Sequence, residues 1–253
     1  MRKNNILVCS ILAIGMTACS VTQSYPAKPD GVTVFAAASL HNVLPELIKE
    51  LDPDATATFN FDGSSGLVDQ LSSGAPADLL LTANESNMTK AIDKKLVSHA
   101  TMFASNTLVL VVPRDNPGSV TGFSDGSLDS KRLVICAPEV PCGSATHKLA
   151  ELNDVILSPS SEEQSVTSVL GKVTSAEADA GVVYRTDAAA ARDKIQVIDI
   201  DNANQVVNNY MVGLTRNSHN EEAAQHILDL IKSEAGQRKL GEYGFSVTVG
   251  TRE

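Results

Sequence analysis

Five positions in this chain place hydrogen-bond donors at the start of a predicted helix or the end of a predicted strand. They are Ser39, the pair Ser64 and Ser65, the triplet Cys142-Gly143-Ser144, the pair Ser165 and Val166, and Tyr184 at the end of the apolar run 180–184. The first turn of a helix presents backbone N–H groups that have no partner within the helix, and the helix dipole is positive at that end. Donors of this kind, converging from two lobes, suit an oxyanion and need no lysine or arginine.

The chain lacks the usual sequence signatures of catalysis. It contains no HExxH, no GxGxxG after a predicted strand, no P-loop and no GxSxG. Its five histidines are scattered without the spacing of metal ligands. We therefore expect a binding protein that is not an enzyme and has no cofactor. A hydrolase that uses Cys142 or Ser39 is the enzymatic alternative, although no base stands at a recognisable spacing. A surface adhesin would need an exposed aromatic patch, and aromatic residues are only 4% of the chain.

The N-terminus has the pattern of an export signal. Arg2 and Lys3 precede an apolar run, residues 6–16, which is too short to span a membrane as a stable helix. The run ends in Met-Thr-Ala-Cys at residues 16–19, which resembles the bacterial lipobox, although Met16 stands where Leu is usual. We expect residues 1–18 to be a lipoprotein signal peptide, Cys19 to carry lipid, and residues 19–31 to form a flexible tether. The protein would then lie at the cell membrane, lipid-anchored on its extracytoplasmic face.

Export also decides the interpretation of the remaining cysteines. Cys9 would leave with the signal peptide and Cys19 would be acylated, so only Cys136 and Cys142 remain. In an exported protein two cysteines this close in sequence are expected to form a disulfide. The bond would hold a short loop beneath the anion site.

Predicted strands and helices alternate along the chain, which indicates the α/β class. The predicted strands are residues 32–36, 55–61, 77–82, 105–113, 132–137, 180–184, 196–200 and 210–214. A turn-rich stretch after Pro113 favours a crossing between two lobes. We therefore expect residues 31–112 plus 214–253 to form lobe I, and residues 113–213 to form lobe II. Ser39 is expected to be the N-cap of the first helix.

The net charge excludes some classes of partner. The 253 residues carry a formal charge of -10 and are 43% hydrophobic, an ordinary globular composition. Such a chain is not expected to bind nucleic acid or an anionic membrane surface through its own charge. An anionic ligand is not excluded, because neutral donors can hold it.

Seven motifs resemble those of the molybdate-binding solute receptors of ABC transporters, the ModA-type periplasmic binding proteins. They are VTVFAAASL, FDGSSGLVDQL, GAPADLLLTA, PEVPCGSATHKL, SVTSVL, AGVVYRTDA and EYGF, and the resemblance covers residues 32–249. It implies a two-lobed periplasmic-binding-protein fold of type II, with a mostly parallel sheet flanked by helices in each lobe. It also implies a monomer that delivers molybdate, and tungstate too, to an ABC permease with its ATPase.

The same resemblance implies which residues hold the oxyanion. These are the hydroxyls of Ser39 and Ser64, the backbone amides of Cys142 and Val166, and the hydroxyl of Tyr184. Cys142 stands where that family often has alanine, but a backbone amide survives this change. Pro45 early in the first helix is a second departure, expected to confine the first turn or to kink the axis. A receptor for sulfate or another tetrahedral oxyanion is the alternative of the same class.

Overall fold

The structure is a computed structural model, and it describes residues 31–247. The expected signal peptide, the lipidated Cys19 and most of the tether lie outside the described residues. The strands are β1 (Val32–Ala37), β2 (Ala57–Asp62), β3 (Leu79–Thr82), β4 (Val97–Asn106), β5 (Leu108–Pro113), β6 (Leu133–Cys136), β7 (Ser161–Glu163), β8 (Ala180–Tyr184), β9 (Ile195–Ile198), β10 (Asn208–Thr215) and β11 (Ser246–Val247). The helices are α1 (Val43–Leu51), α2 (Ser64–Ser72), α3 (Glu85–Asp93), α4 (Pro141–Leu152), α5 (Val166–Thr174), α6 (Arg185–Ala190), α7 (Glu221–Lys232) and α8 (Glu234–Glu242).

The described strands form two separate sheets flanked by helices, which confirms the α/β two-lobed fold. The first sheet has the order β11-β4-β10-β3-β1-β2, and the second has the order β7-β6-β8-β5-β9. Each sheet is mixed, whereas the sequence predicted mostly parallel sheets. Strands β2, β1 and β3 run parallel in the first sheet, as do β7, β6 and β8 in the second, while the remaining pairs are antiparallel.

The chain changes sheets earlier than the sequence predicted, at both crossings. Residues 105–113 read as one strand, but they belong to two: β4 ends at Asn106 in the first sheet and β5 pairs with β8 and β9 in the second. The side chain of Asn106 accepts from the amide of Thr107 at 3.0 Å, which fixes the turn between them. The return occurs before Asn208, because β10 lies entirely in the first sheet. The second lobe therefore begins near 107 and ends near 207, whereas residues 113–213 were expected.

Continuous apolar strands form the centre of each lobe. All four residues of β3 and all six of β5 are buried, as expected for strands that are covered on both faces. Helix α1 covers the first sheet with one apolar face, formed by Val43, Leu44, Leu47 and Ile48. Pro45 is the third residue of α1, where an N–H group would have no partner in the helix, so proline fits there without breaking a bond.

The parallel strands bring the predicted donors to one place. Strands β1, β2, β6 and β8 each lead at their carboxyl ends into a helix or helical turn. In open α/β sheets this edge is where ligands bind. Within residues 31–247, no helix has both the length and the apolar character needed to cross a bilayer.

Candidate functional site

The five predicted ligand-binding residues all line one small cavity between the two sheets. Its lining consists of Ala37, Ala38, Ser39, Asp62, Gly63, Ser64, Ala83, Val140, Pro141, Cys142, Val166 and Tyr184. None of these lining residues is a lysine, an arginine or a histidine. Asp62 is the single charged residue among them, and its carboxylate accepts from the amide of Gly63 at 2.7 Å and from Gln70 Nε2 at 3.1 Å. Neutral donors therefore dominate the cavity.

Ser39 is not the N-cap of α1, contrary to the sequence prediction. It lies in a turn of 3-10 helix, Ala38–Leu40, and α1 begins only at Val43. The Ser39 hydroxyl lies 2.7 Å from the hydroxyl of Tyr210, a fully buried residue of β10. When Tyr210 donates in this pair, the proton of Ser39 stays available for a ligand oxygen. Tyr210 thus orients Ser39, and no local pattern in the sequence predicts this partnership across the sheet.

Ser64 is the first residue of α2, after the N-cap Gly63. Its Oγ accepts from the backbone amide of Ala83 at 3.0 Å, which leaves its own proton free to donate. Ser65 is also buried, but it does not line the cavity. The geometry therefore separates two serines that the sequence left nearly equivalent.

The start of α4 is fixed to the end of β6 by a disulfide. Cys136 and Cys142 are bonded, with their Cα atoms 5.7 Å apart, so the predicted disulfide is confirmed. Pro141, the first residue of α4, has no N–H group, which makes the amide of Cys142 the first available donor of that helix. A Cβ on Gly143 would lie 1.9 Å from the carbonyl oxygen of Ala137, so only glycine permits this close packing.

Val166 is the first residue of α5, and its side chain is buried. The N-cap Ser165 accepts from the amide of Ser168 at 3.3 Å, which closes the first turn. The amide of Val166 precedes that bond and belongs to the group of first-turn donors. Helix α5 thus presents one backbone donor to the cavity from the second lobe.

Tyr184 ends β8 and is only 1% exposed. Its hydroxyl makes no hydrogen bond of good geometry among residues 31–247, although the hydroxyl of Tyr210 lies close enough to raise its pKa, after the larger effect of burial. Burial raises the pKa of the Tyr184 phenol well above its usual value, so the group is a protonated donor at neutral pH. Buried hydroxyls are normally paired, so an unpaired one at a cavity wall indicates a missing acceptor.

Two contacts that the sequence did not predict hold the cavity walls together. Asn208 Nδ2 donates to the carbonyl of Ala83 at 3.0 Å and reaches that of Pro141 at 3.5 Å, so it joins the two lobes. A Cβ on Gly63 would lie 2.1 Å from the carbonyl oxygen of Gln164 on the opposite wall. The two lobes are therefore in contact around the cavity, which is the closed arrangement of a two-lobed binder.

Both candidate nucleophiles of the cavity are engaged in other contacts. The sulfur of Cys142 is part of the disulfide, which removes the thiol that a cysteine hydrolase would need. The hydroxyl of Ser39 pairs with a phenol and not with a base. The described residues contain no group of three or more His, Cys, Asp or Glu side chains that could hold a metal ion. The arrangement suits an anion bound through its oxygens.

Comparisons with known proteins find relatives that match nearly all of the described residues. A family model described as bacterial extracellular solute-binding protein matches residues 32–246. The molybdate-binding protein ModA of Mycobacterium tuberculosis is 36% identical over 250 residues, which is 95% of this chain and 96% of that protein. YvgL of Bacillus subtilis, whose name describes a candidate ABC transporter substrate-binding lipoprotein, is 30% identical over 260 residues, covering 97% of this chain and 98% of that protein. The periplasmic molybdate-binding protein of Azotobacter vinelandii has the same fold, with a TM-score of 0.71 at 18% identity over 85% of this chain and 99% of that one.

Proposed function

Because this chain belongs to the bacterial extracellular solute-binding protein family, and to its ModA-type group, we propose that it captures molybdate and delivers it to an ABC permease with its ATPase. The family resemblance read from the motifs is thereby confirmed. Members of the family bind solutes and are not enzymes, and the molecule they carry is a ligand and not a cofactor.

The unpaired hydroxyl of Tyr184 is the observation that carries the proposal. It indicates an acceptor that residues 31–247 do not supply, at a cavity whose other proposed donors are the Ser39 and Ser64 hydroxyls and the amides of Cys142 and Val166. A tetrahedral dianion has four oxygens, each able to accept more than one hydrogen bond. Five neutral donors from two lobes can therefore satisfy it without a fixed cation.

Size is the property that selects the ligand in this proposal. Molybdate, tungstate and sulfate share charge and shape at neutral pH, so electrostatics alone does not separate them. Donors at helix ends in two lobes meet the larger oxyanions at hydrogen-bond distance, whereas a smaller anion leaves some of them unpaired. We expect molybdate and tungstate to bind comparably and sulfate weakly.

A thermal-shift series tests this selectivity. At a ligand concentration 100 times Kd, binding stabilises the fold by about 2.7 kcal/mol. For a domain of this size the melting temperature then rises by roughly 5–11 °C. Molybdate and tungstate should each give such a rise and sulfate little, at matched low concentrations. Equal shifts with sulfate and molybdate would instead favour a general oxyanion receptor.

We also propose that the mature protein is a monomer tethered by a lipid on Cys19. The support is the lipobox-like sequence and the polar spacer that follows it. Metabolic labelling with a radioactive fatty acid tests the anchor: wild-type protein should carry label in the membrane fraction, and Cys19→Ala should carry none. Label that persists in Cys19→Ala would show that another residue carries the lipid.

A further inference from the structure

Asp187 is a buried carboxyl group next to the site, and it is not one of the donors. It lies in α6, three residues after Tyr184, and is 2% exposed. Neither of its carboxyl oxygens has a hydrogen-bond partner among the described residues. An ionised carboxylate that is buried without a partner is strongly disfavoured, because it has lost its hydration and gained nothing.

Two phenols face Asp187 from the strands beside it. They are Tyr184 at the end of β8 and Tyr210 in β10, whose ring centroids are 5.9 Å apart. Burial is the main cause of the raised pKa of each phenol; the charge of Asp187 is the next cause for Tyr210, and for Tyr184 it follows the effect of Tyr210. The carboxyl group therefore interacts electrostatically with the ligand-facing Tyr184 and with the residue that orients Ser39.

No compensating cation faces Asp187 within the described part of the chain. Helix α6 packs mainly on β5, β8 and α5, and β5 is entirely apolar. The one titratable side chain of α5, Lys172, is paired with Glu163. Arg185, on α6 itself, pairs with Asp199 at the surface. Burial accordingly raises the pKa of the Asp187 carboxyl to about 7.

A bound dianion adds a second reason for this carboxyl to be neutral. Like charges close together disfavour ionisation, and the effect is large where the surroundings are apolar and water is excluded. We propose that Asp187 is a proton-binding site coupled to the cavity, so that the closed protein captures one oxyanion and one proton together. The proposal rests on the proposed function, because a neutral ligand would produce no such coupling.

The direction of the pH dependence follows from linkage. Below about pH 7 the carboxyl is already protonated without ligand, so binding takes up no proton and affinity is constant. Above that pH each binding event draws up to one proton from solution, and Kd rises by up to tenfold per pH unit. Molybdate remains a dianion throughout this range, so its own titration does not contribute.

Calorimetric titration with sodium molybdate tests the coupling directly. The protein is titrated at about pH 6 and about pH 8, each time in buffers of low and high ionisation enthalpy, and the difference in heat gives the protons taken up. We expect none at the lower pH and close to one at the higher. Asp187→Asn, a permanent mimic of the neutral acid, should bind with no proton uptake and with a flat pH profile. Asp193→Asn removes the same charge from an exposed turn and should keep the wild-type uptake.

Infrared difference spectroscopy identifies the group that takes the proton. Adding molybdate at about pH 8 should produce a protonated-carboxyl band in wild type that is missing in Asp187→Asn. If Asp187→Asn does not fold, proton uptake by the wild-type protein at about pH 8 still tests the proposal. Tight molybdate binding with no proton uptake at either pH would overturn the role of Asp187 and leave the proposed function intact. Absence of molybdate binding at every pH would overturn both.

Discussion

Replacing Tyr184 by phenylalanine removes one hydroxyl and keeps the buried ring. Among residues 31–247 the hydroxyl makes no hydrogen bond of good geometry, so its loss breaks no such bond there. A hydrogen bond to a charged acceptor contributes about 1.5–3 kcal/mol. Since 1.4 kcal/mol is a tenfold change, we expect Kd for molybdate to rise by roughly tenfold to a hundredfold.

The same substitution should not lower the stability of the ligand-free protein. A buried polar group without a partner is destabilising, so removing it leaves the melting temperature unchanged or raises it. Calorimetric titration gives the affinity, and differential scanning calorimetry gives the stability. Calorimetry suits both measurements, because the protein has no tryptophan whose fluorescence could report binding or unfolding.

Tyr243→Phe is the matched control. Its hydroxyl donates to Glu46 at 2.7 Å on the outer surface, away from the cavity. It should leave molybdate affinity at the wild-type value. Wild-type affinity in Tyr184→Phe would show that the hydroxyl of Tyr184 does not bind the ligand, and an equal loss of affinity in both variants would show that the effect is not specific to the cavity.

Three further predictions concern Ser64, the disulfide and Asp78. Ser64→Ala should weaken molybdate binding by about 1–3 kcal/mol in calorimetric titration. Ser65→Ala alters a buried serine that does not line the cavity, so it should leave the affinity unchanged. Equal losses of affinity would show that the two serines do not differ in their role. Reducing the disulfide between Cys136 and Cys142 should lower the free energy of unfolding, measured by urea titration, by roughly 2 kcal/mol. It should also weaken molybdate binding, measured by calorimetric titration. Unchanged affinity would mean that the disulfide does not hold the start of α4 in place. Burial opposes ionisation of Asp78, but four hydrogen bonds to its carboxylate lower its pKa. The ionised carboxylate therefore stabilises the fold above its unfolded pKa, and this stabilisation is lost as the pH falls through the folded pKa. Between neutral pH and about pH 3 the wild type should lose more stability than Asp78→Asn, and equal losses in the two proteins would contradict this.

Local signals in the sequence predicted most of the residues that line the cavity. Small and polar residues mark where helices begin, which indicated the three helix starts. The resemblance of the motifs then selected Ser64, Cys142 and Val166 among them, and all three line the cavity. Tyr184 was found because it ends an apolar strand. Ser39 was found as well, but the assumed capping role was wrong, since the chain makes a turn of 3-10 helix before α1.

Contacts between distant segments could not be predicted in this way. Tyr210 lies 171 residues from Ser39, and nothing near it in sequence indicates that its hydroxyl reaches the site. The apolar run of β5 reads the same whichever sheet it joins, so its pairing in the second lobe was missed. Strand β4 was also missed, because its register shifts against β10 interrupt the alternation that identifies a strand. Asp187 reads as a surface residue of a short helix, and only the packing of α6 shows that it is buried.

A crystal structure with molybdate, measured on both sides of the molybdenum absorption edge, would show most directly whether the five proposed donors hold the oxyanion. We expect one anomalous peak per protein molecule, inside the cavity. Ligand oxygens should lie within hydrogen-bond distance of the Ser39, Ser64 and Tyr184 hydroxyls and of the Cys142 and Val166 amides. A peak elsewhere, or an oxyanion held by charged side chains in place of these five donors, would contradict this expectation.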